Sequence, residues 1–460
     1  MRKRSGKKNK NKRRLGNETE ENKRTREQEN KRIKEKKKKW NGERKKGKGN
    51  REGDEVEFAV VKGGGVTTPR GFTAGVAEAG IKYQGRYDLA LVVSEDPAVG
   101  AGVFTTNKFA AAPVQVSRQH LAAKTGCRGF VVNSGCANAC TGQEGLAAAK
   151  MMTKVAAEVT GYQPEEFLVA STGVIGVNLP IEKVQQGIRE AGRSLSYERG
   201  SLAAQAIMTT DTRAKEIALQ IEIEGKKVSL GGMAKGSGMI HPNMATMLGL
   251  VTTDVAITGE CLQQALVMAN EESFNMVTID GDTSTNDTLV VLANGRAGNT
   301  LIEDVQSTAF RLFSEALREV CLSLAKMIAG DGEGATKLLE VKVINAPSLV
   351  DARKAARSVA GSSLVKAAIF GKDANWGRIV CALGYSGAEF EPDSVDVYLG
   401  ELLVAQKGRG LDFNEAEACR ILAKDEVLIT IDLKAGTFAG RAWGCDLSYE
   451  YVKINADYRS

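Results

Sequence analysis

The distribution of hydrophobic side chains divides the chain near residue 56. Residues 1–55 contain few apolar side chains beyond Leu15, Ile33 and Trp40, so burial there cannot offset the conformational entropy lost on ordering. From residue 58 onwards, short β-branched runs alternate with segments whose apolar residues recur at helical spacing. We therefore predict a disordered basic extension over residues 1–55, followed by a folded α/β body.

The first half of that body, residues 56–245, alternates predicted strands and helices. Gly-rich turns break up residues 58–116, which predicts sheet edges there, including the short run at 112–116. The other predicted elements are strands at 89–93, 129–133 and 167–171, helices at 144–160 and 181–209, and a hairpin at 217–230. This order is typical of an α/β layer.

The second half, residues 246–460, continues the alternation. A largely buried strand is predicted at 246–257 because nearly every residue there is apolar or small. The elements predicted after it are helices at 258–272, 302–328 and 348–360, and strands at 288–293, 338–344 and 427–433. The two halves of the predicted α/β body meet at Thr246.

The net charge of the whole chain conceals an uneven distribution. The chain carries +7, but residues 1–55 hold 24 Lys and Arg against 10 Asp and Glu, so the remainder carries −7. A body of that charge does not indicate specific binding of nucleic acid. No apolar run approaches the roughly 18–20 residues that span a bilayer, and no secretory signal follows the basic N-terminus. We expect a cytoplasmic protein without a membrane partner.

Catalysis by histidine or by a zinc cluster is disfavoured by residue counts. The chain has only two histidines, His120 and His241, and eight scattered cysteines that we expect to be reduced. Cys136 and Cys140 lack a nearby second pair of zinc ligands. The segment GYSGA at 384–388 fails the nucleophile-elbow pattern at its last position.

Two segments that contain glycine resemble a calcium-binding loop and a dinucleotide-binding loop, but neither matches the full pattern. DGDTSTND at 280–287 lacks the glycine and the terminal glutamate of a calcium loop, which favours a tight turn. GDGEGA at 330–335 follows a predicted helix, whereas a dinucleotide fingerprint must follow a strand. One glycine would suffice to end that helix, so the surplus glycines suggest a backbone brought close to a ligand, with Glu333 aimed at it.

Thr246 is the remaining nucleophile candidate. It ends the flexible part of the segment KGSGMIHPNMATML at 235–248. The glycines and the proline of that segment can keep the Ala245–Thr246 peptide bond strained and accessible to a nucleophile. A threonine hydroxyl needs a base, and where histidines are scarce an N-terminal amine of pKa about 7.7–8.0 is the economical one. Thr246 gains such an amine only if the chain is cut before it.

The hydroxyl itself can make that cut. It attacks the Ala245 carbonyl carbon, the acyl group shifts from nitrogen to oxygen, and water hydrolyses the ester. The product is an N-terminal threonine whose own amine serves as its base. Lys235 can lower the pKa of that amine or hold an anionic group of a substrate.

The segment KGSGMIHPNMATML resembles the self-cleaving segment of the ornithine acetyltransferases of arginine biosynthesis, also called glutamate N-acetyltransferases. The resemblance covers residues 58–460. Its further motifs are FTTN at 104, NSGCANACTG at 133, STGVIG at 171, MTTDT at 208, DGDTSTND at 280, GDGEGATK at 330, GKDANWGRI at 371 and NADYRS at the C-terminus.

The resemblance implies a fold and an activity. The implied fold is the α/β sandwich of this family and of related self-processing aminopeptidases, cut between Ala245 and Thr246 into α and β chains that assemble as an α2β2 heterotetramer. The implied activity passes acetyl from N2-acetylornithine to Thr246 and then to glutamate, without a metal or bound cofactor. Some members also use acetyl-CoA as a substrate, and no residue in this sequence decides that point.

The resemblance also implies roles for individual residues. Thr246 is the nucleophile, and Thr172 with Gly173 supplies the oxyanion hole. The implied contacts to substrate are Thr209, Lys235, Thr246, Glu333, Asn455 and Ser460. These types suit an amino-acid ligand, because its carboxylate prefers lysine, amide and hydroxyl donors and its ammonium group prefers a carboxylate.

Two other functions remain open from the sequence. An aminopeptidase or amidase would use the same threonine but would pass the acyl group to water. A nucleic-acid-binding protein would act through the basic residues of the extension, with a body that has no catalytic part.

Overall fold

The chain folds into two β-sheets with helices packed against them. The structure, a computed structural model, describes residues 57–241 and 247–457. The predicted extension 1–55 and the residues Ala245, Thr246 and Ser460 lie outside the described residues. The fold described below is α/β, which confirms the predicted class.

The strands span both halves of the body. They are β1 (Ala59–Val60), β2 (Phe72–Ala77), β3 (Leu89–Phe104), β4 (Cys127–Asn133), β5 (Phe167–Ser171), β6 (Lys215–Ile223), β7 (Lys226–Lys235), β8 (Leu248–Thr253), β9 (Thr288–Ala293), β10 (Leu338–Ala346), β11 (Asp396–Leu399), β12 (Leu402–Gln406), β13 (Arg409–Gly410), β14 (Glu426–Asp432) and β15 (Phe438–Cys445).

Helices connect many of these strands, and one helix follows the last strand. They are α1 (Ala112–Ala122), α2 (Gly142–Thr160), α3 (Ile181–Arg193), α4 (Gly200–Ala206), α5 (Gly259–Glu271), α6 (Thr308–Ala329), α7 (Leu349–Gly361), α8 (Ser363–Gly371), α9 (Trp376–Gly384), α10 (Glu415–Leu422) and α11 (Tyr449–Ala456). In the described residues no helix combines the length and the apolar character needed to cross a bilayer.

The larger sheet has the strand order β1-β6-β7-β8-β9-β3-β4-β5, with β2 paired to β3. Strand β3 is 16 residues long, and its two halves have different neighbours. Residues 89–93 pair with β2 and β4, whereas residues 99–104 pair with β9. Through β3 the sheet is therefore continuous from the hairpin β6–β7 to β5.

Strands from the two halves of the body are interleaved in this sheet. Strands β8 and β9 follow residue 246 in sequence, and they lie between β7 and β3, which precede it. Residues 248–253 of β8 pair with 230–235 of β7, and 288–293 of β9 pair with 99–104 of β3. A cut before Thr246 would thus leave two chains that share one sheet.

The smaller sheet has the order β13-β12-β11-β14-β10-β15 and belongs wholly to the second half. Helix α7 packs on β10 and β15, while α6 packs on β6 and β7 of the larger sheet. Leu324 of α6, Leu230 of β7 and Val341 of β10 belong to one cluster of buried hydrophobic side chains. This shared core joins the two sheets.

Local sequence explains where the main helices begin. The side chains of Thr258, Ser307 and Ser348 each accept a hydrogen bond from a backbone N–H in the first turn of the following helix, which satisfies a donor that the helix itself cannot. Helix α6 ends at Ala329, and Gly330 is its C-cap residue, with a right-handed backbone.

Three sequence predictions were wrong. The run 112–116, predicted as a sheet edge, is the start of helix α1, with Pro113 in its first turn. The helix predicted at 181–209 is broken between α3 and α4, because Ser196 leaves the helix to exchange backbone hydrogen bonds with Ala74 of β2. The helix predicted from residue 302 begins only at Thr308.

Candidate active site

The candidate site lies where several strands of the larger sheet end. Lys235, the last residue of β7, pairs with Leu248 of β8, and Leu248 pairs with Thr288 of β9. The three residues form a row across the sheet. Met247 lies one step beyond this row and is the nearest described residue, in sequence, to the predicted nucleophile.

The backbone of Met247 is hydrogen-bonded at both its amide and its carbonyl group. Its amide donates a hydrogen bond to Oδ1 of Asp287 at 3.2 Å, and its carbonyl oxygen accepts one from the amide of Thr288 at 3.1 Å. Thr246 and Ala245 lie outside the described residues. The backbone is therefore fixed from Met247 onwards, which is the second residue after the predicted cleavage point.

Thr172 follows the last residue of β5 and lies beside Lys235. It is 3% exposed, and Nζ of Lys235 lies 3.5 Å from its hydroxyl oxygen, to which it donates. The amide of Thr172 donates to the carbonyl oxygen of Asn133 at 3.0 Å. Because that amide is used, the hydroxyl is the group of Thr172 that can donate to an oxyanion.

Gly173 occupies a position that only glycine fits. Its φ is +133°, and a Cβ atom there would lie 2.3 Å from the carbonyl carbon of Gly135. Both the backbone angle and the close approach exclude a side chain. The predicted pair Thr172 and Gly173 thus forms a tight turn packed on the residues that follow β4.

A buried chain of charges supports Lys235. Its Nζ lies 3.9 Å from Oδ2 of Asp211, whose Oδ1 accepts a hydrogen bond from Lys215 at 2.5 Å. Lys215 is fully buried and also donates to Asp331 at 2.6 Å. Two ammonium groups and two carboxylates therefore alternate beneath the site, which offsets much of the cost of burying them.

In this cluster, burial and neighbouring charges shift the pKa values in opposite directions. Burial lowers the pKa of Lys235, whereas the negative charge of Asp211 raises it and only partly restores it. Burial alone would raise the pKa of Asp211, but the charges of Lys235 and Lys215 outweigh it and hold the pKa of Asp211 below its usual range. Asp211 is therefore an anion at neutral pH.

Asp211 also positions Thr209. Its Oδ2 accepts a hydrogen bond from the amide of Thr209 at 3.0 Å, and its Oδ1 accepts one from the amide of Gly236 at 2.7 Å. One carboxylate thus joins the turn after α4 to the end of β7. The structure brings the predicted residues Thr209 and Lys235 together through this side chain.

Glu333 lies across the glycine-rich segment that follows β7. Its amide donates to the carbonyl oxygen of Ser237 at 2.7 Å, and a Cβ atom on Gly238 would lie 2.4 Å from its Oε2. That same oxygen accepts a hydrogen bond from Nδ2 of Asn455 at 2.8 Å. Glu333 and Asn455 are therefore in contact, while Ser460 lies outside the described residues.

The surplus glycines near Glu333 serve a different purpose from the predicted one. A Cβ atom on Gly332 would lie 2.6 Å from Sγ of Cys445, and one on Gly334 would lie 2.7 Å from the amide nitrogen of Tyr451. The close approach of the backbone is thus to the protein's own atoms. It packs the Glu333 turn against β15 and α11.

Sequence reasoning missed Asn286 and Asp287, which directly precede β9. Nδ2 of Asn286 donates to the carbonyl oxygens of Ser171 at 2.8 Å and Ala137 at 2.6 Å, and so ties the start of β9 to the end of β5. Asp287 holds Met247, as described above. Both residues lie in DGDTSTND, but only their place at the sheet end distinguishes them from turn residues.

The other candidates have structural roles. Asp280, in the same motif, accepts a hydrogen bond from the amide of Asp282 at 3.3 Å, as expected of a turn, and it also accepts the amides of the distant residues Met239 and Ile240. Nδ1 of His241 lies 3.2 Å from the hydroxyl oxygen of Thr278, and burial lowers the pKa of His241. Within residues 57–241 and 247–457, no three His, Cys, Asp or Glu side chains form a group that could hold a metal ion.

Comparison with known proteins agrees with the motif resemblance. The model of the ArgJ family matches residues 73–460. The chain belongs to the ArgJ family. Among its ArgJ relatives, the arginine biosynthesis bifunctional protein ArgJ of Symbiobacterium thermophilum is 56% identical over 400 residues, covering 86% of this chain and 99% of the relative. That of Dehalococcoides mccartyi is 52% identical, covering 87% of this chain and 98% of the relative.

One solved structure is also similar to part of this chain. The ornithine acetyltransferase of Mycobacterium tuberculosis, determined in complex with ornithine, is 36% identical to this chain. The match covers 42% of this chain and 100% of the solved chain, with a TM-score of 0.38.

Proposed function

We propose that this chain is a self-cleaving acetyltransferase of arginine biosynthesis, which moves acetyl from N2-acetylornithine to L-glutamate through Thr246. The observation that carries the proposal is the ArgJ family match over residues 73–460, together with relatives that are named arginine biosynthesis bifunctional proteins. The gathering of Thr172, Gly173 and Lys235 beside the start of β8 supports it.

The first event is cleavage between Ala245 and Thr246. The Thr246 hydroxyl attacks the Ala245 carbonyl carbon, the peptide C–N bond breaks, and water hydrolyses the resulting ester. Residues 56–245 then form the catalytic part of the α chain, and residues 246–460 form the β chain. The clamp on Met247 supports this step, because it fixes the backbone that follows the new N-terminus.

Turnover then uses the freed amine of Thr246 as its base. The amine takes the hydroxyl proton while the oxygen attacks the acetyl carbonyl carbon of acetylornithine. The Thr172 hydroxyl and the Gly173 amide stabilise the oxyanion, ornithine leaves with a proton on its amine, and acetyl-Thr246 remains. The amine of glutamate attacks that ester, so the acetyl group passes to glutamate and the hydroxyl is regenerated.

The charges of the site suit both amino-acid substrates. We assign Lys235 to the substrate carboxylate, with Thr209, Asn455 and Ser460 as further polar contacts. Glu333 is the counter-charge for the substrate ammonium group. The Asn455–Glu333 hydrogen bond at 2.8 Å supports this assignment, because it keeps the two side chains in contact.

Four further features belong to the proposal. The reaction uses no metal and no bound cofactor, because threonine acyl transfer needs only a base and oxyanion donors. Acetyl-CoA is a candidate second acetyl donor. The assembly is an α2β2 heterotetramer, which the shared sheet supports at the level of one α and one β chain. The proposed location is the cytoplasm, which is in keeping with a family of biosynthetic enzymes.

Denaturing mass spectrometry tests the cleavage. Purified protein should give two fragments, residues 1–245 and 246–460, and Thr246→Ala should give one intact chain without activity. An undivided wild-type chain that still transfers acetyl would contradict the proposal.

An assay for N-acetylglutamate tests the acceptor. The expected product from acetylornithine and glutamate is N-acetylglutamate, and repeating the assay with acetyl-CoA decides the second activity. Release of free acetate without N-acetylglutamate, even at high glutamate, would instead identify an amidase.

A further inference from the structure

The turn that follows β5 presents one backbone amide that the fold does not use. The amide of Thr172 donates to the carbonyl oxygen of Asn133 at 3.0 Å, and the amide of Val174 donates to that of Gly135 at 3.3 Å. Between them, the amide of Gly173 donates to no acceptor among the described residues, and Gly173 is partly exposed. Such an amide can stabilise an oxyanion only if the turn fixes its direction.

One side chain holds the peptide group that precedes this turn. Nδ2 of Asn286 donates to the carbonyl oxygen of Ser171 at 2.8 Å. The other polar group of the same peptide unit is the amide of Thr172, which is also hydrogen-bonded. The plane of the Ser171–Thr172 peptide is therefore fixed from both sides. The direction of the Gly173 amide then depends only on the two backbone angles of Thr172.

Asn286 is oriented so that both N–H groups of its side chain are used. Its Nδ2 also donates to the carbonyl oxygen of Ala137 at 2.6 Å, and its Oδ1 accepts a hydrogen bond from the hydroxyl of Thr285 at 2.6 Å. Two carbonyl acceptors require an NH2 group, because an amide oxygen in that position would have no hydrogen to give. Asn286 is 4% exposed, so water does not compete for these hydrogen bonds.

Asn286 also connects strands that are not neighbours in the sheet. Strand β8, which follows the proposed nucleophile, is separated from β5 by β9, β3 and β4. Asn286 lies two residues before the start of β9 and contacts the last residue of β5 directly. Thr288, the first residue of β9, donates to the carbonyl oxygen of Met247 at 3.1 Å. The short segment 286–288 thus contacts both the oxyanion turn and the start of β8.

We propose that Asn286 is a positioning residue for acetyl transfer. It acts through the turn at Thr172 and Gly173, which it holds at a fixed place relative to β8. This inference rests on the proposed function, which assigns the oxyanion donors to that turn. Both half-reactions, acetyl to the enzyme and acetyl to glutamate, pass through an oxyanion. Because the charge on that oxygen develops only during the reaction, Asn286 should support kcat and leave KM unchanged.

The test compares Asn286→Ala with Asn299→Ala in acetyl transfer from acetylornithine to glutamate. Asn299 is the matched control, because it is 7% exposed and its Nδ2 also donates to two carbonyl oxygens, those of Ala256 at 3.1 Å and Thr300 at 2.7 Å. Ala256 follows the opposite end of β8 from the candidate site.

Rates are expressed per 246–460 fragment that becomes acetylated when glutamate is omitted, so that misfolded and uncut chains are not counted. Asn286→Ala should lower kcat at least about tenfold, as expected when catalytic donors are displaced, with KM within about twofold of wild type. Asn299→Ala should keep both values.

A double substitution separates positioning from general destabilisation. Gly173→Ala by itself must displace the turn, because its Cβ would meet the Gly135 carbonyl carbon at 2.3 Å. Adding Asn286→Ala to Gly173→Ala should therefore lower kcat by less than about a further threefold, whereas independent effects would multiply.

A smaller loss of kcat in Asn286→Ala, or single effects that multiply, would overturn the positioning role. If Asn286→Ala gives no cut chain, Thr285→Val decides instead, because it removes the hydroxyl that orients Asn286 but keeps the side-chain shape. A kcat at least about threefold below wild type then supports the role, and a smaller change overturns it. A wild type that makes no N-acetylglutamate removes the proposed function, whereas an active wild type with an unaffected Asn286→Ala removes only this inference.

Discussion

Lys235 depends on one neighbour to stay charged in a buried position. Burial lowers the pKa of Lys235, and Asp211 is the largest influence that raises it. Asp211 also holds the amides of Thr209 and Gly236, so charge and geometry are set by the same carboxylate. Asp211 lies in the motif MTTDT, but no role was predicted for it. It acts on Thr209 and Lys235, for which the family resemblance did imply roles.

Asp211→Asn should weaken substrate binding more than it slows chemistry. Without the carboxylate charge the pKa of Lys235 falls further, and the ammonium form exists only below that pKa. KM should therefore begin to rise at a lower pH than in wild type, and at neutral pH it should be about tenfold higher, which corresponds to roughly 1.4 kcal/mol. The measurement is KM and kcat against pH.

Asp331→Asn is the comparison for that experiment. It removes the other carboxylate partner of Lys215 but leaves Asp211 beside Lys235. The pH at which KM rises should stay at the wild-type value. An unchanged KM profile in Asp211→Asn would show that Asp211 does not support the charge of Lys235.

Gly173→Ala tests the predicted oxyanion turn. The added Cβ must displace the turn, because it would meet the Gly135 carbonyl carbon at 2.3 Å. Loss of one oxyanion donor raises the barrier by about 2.7–4 kcal/mol, so kcat/KM should fall roughly 100- to 1000-fold. Gly176→Ala has a comparable left-handed backbone angle, φ +78°, but no atom within 4 Å, and it should keep its activity.

At the scale of helices and strands, periodicity predicted most of the fold. The strands at 167–171 and 288–293 have the predicted bounds, and the helix predicted at 144–160 starts only two residues earlier. One of the errors arose where a distant contact decided the structure. Ser196 breaks a predicted helix because Ala74, far away in sequence, offers it backbone hydrogen bonds.

The site was predictable only in part for the same reason. Motif resemblance pointed to Thr172, Gly173, Lys235 and Glu333, which the structure places near one another. Asn286 and Asp287 act through contacts with residues 40 to more than 100 positions away. No local pattern carries such information, because it arises when strand ends meet at one edge of a sheet.

Helix α6 offers a test of local capping. Its N-cap, Ser307, accepts the amide of Phe310 at 3.1 Å. Ser307→Ala should lower the free energy of unfolding by about 1 kcal/mol, as measured by urea denaturation. Ser323→Ala, within the same helix, removes no cap and should change the free energy of unfolding by less than about 0.5 kcal/mol. Equal effects of the two substitutions would show that the cap does not stabilise α6.

At the scale of the whole molecule, the interleaved strands determine how a cut chain behaves. Strands β8 and β9 are hydrogen-bonded to β7 on one side and β3 on the other. Separating residues 246–460 from the preceding chain would break both ladders and expose the core that they cover. Cleavage therefore changes the covalent structure without releasing a domain.

The two fragments should stay together under native conditions. They should elute as one species in size-exclusion chromatography and separate only in denaturant, because the exposed strand edges and core carry a large free-energy cost. Fragments that separate in buffer would contradict the shared sheet.

Removal of residues 1–55 should leave catalysis unchanged. The extension carries 24 Lys and Arg, and none of the predicted site residues lies within it. A chain that begins at residue 56 should have kcat/KM within about twofold of the full chain, while its salt-sensitive retention on heparin should fall. A large loss of acetyl transfer would assign the extension a catalytic part.

Strands β8 and β9 lie between β7 and β3, which precede them in sequence. This arrangement also requires that the sheet forms before the chain is cut. If residues 1–245 and 246–460 were encoded by separate genes, each product would leave the ribosome with unpaired strand edges. Such edges promote aggregation until the partner chain is bound. One continuous message avoids that encounter and fixes a one-to-one ratio of the halves. The peptide link before Thr246 thus acts as a tether during assembly and becomes dispensable once the sheet has closed.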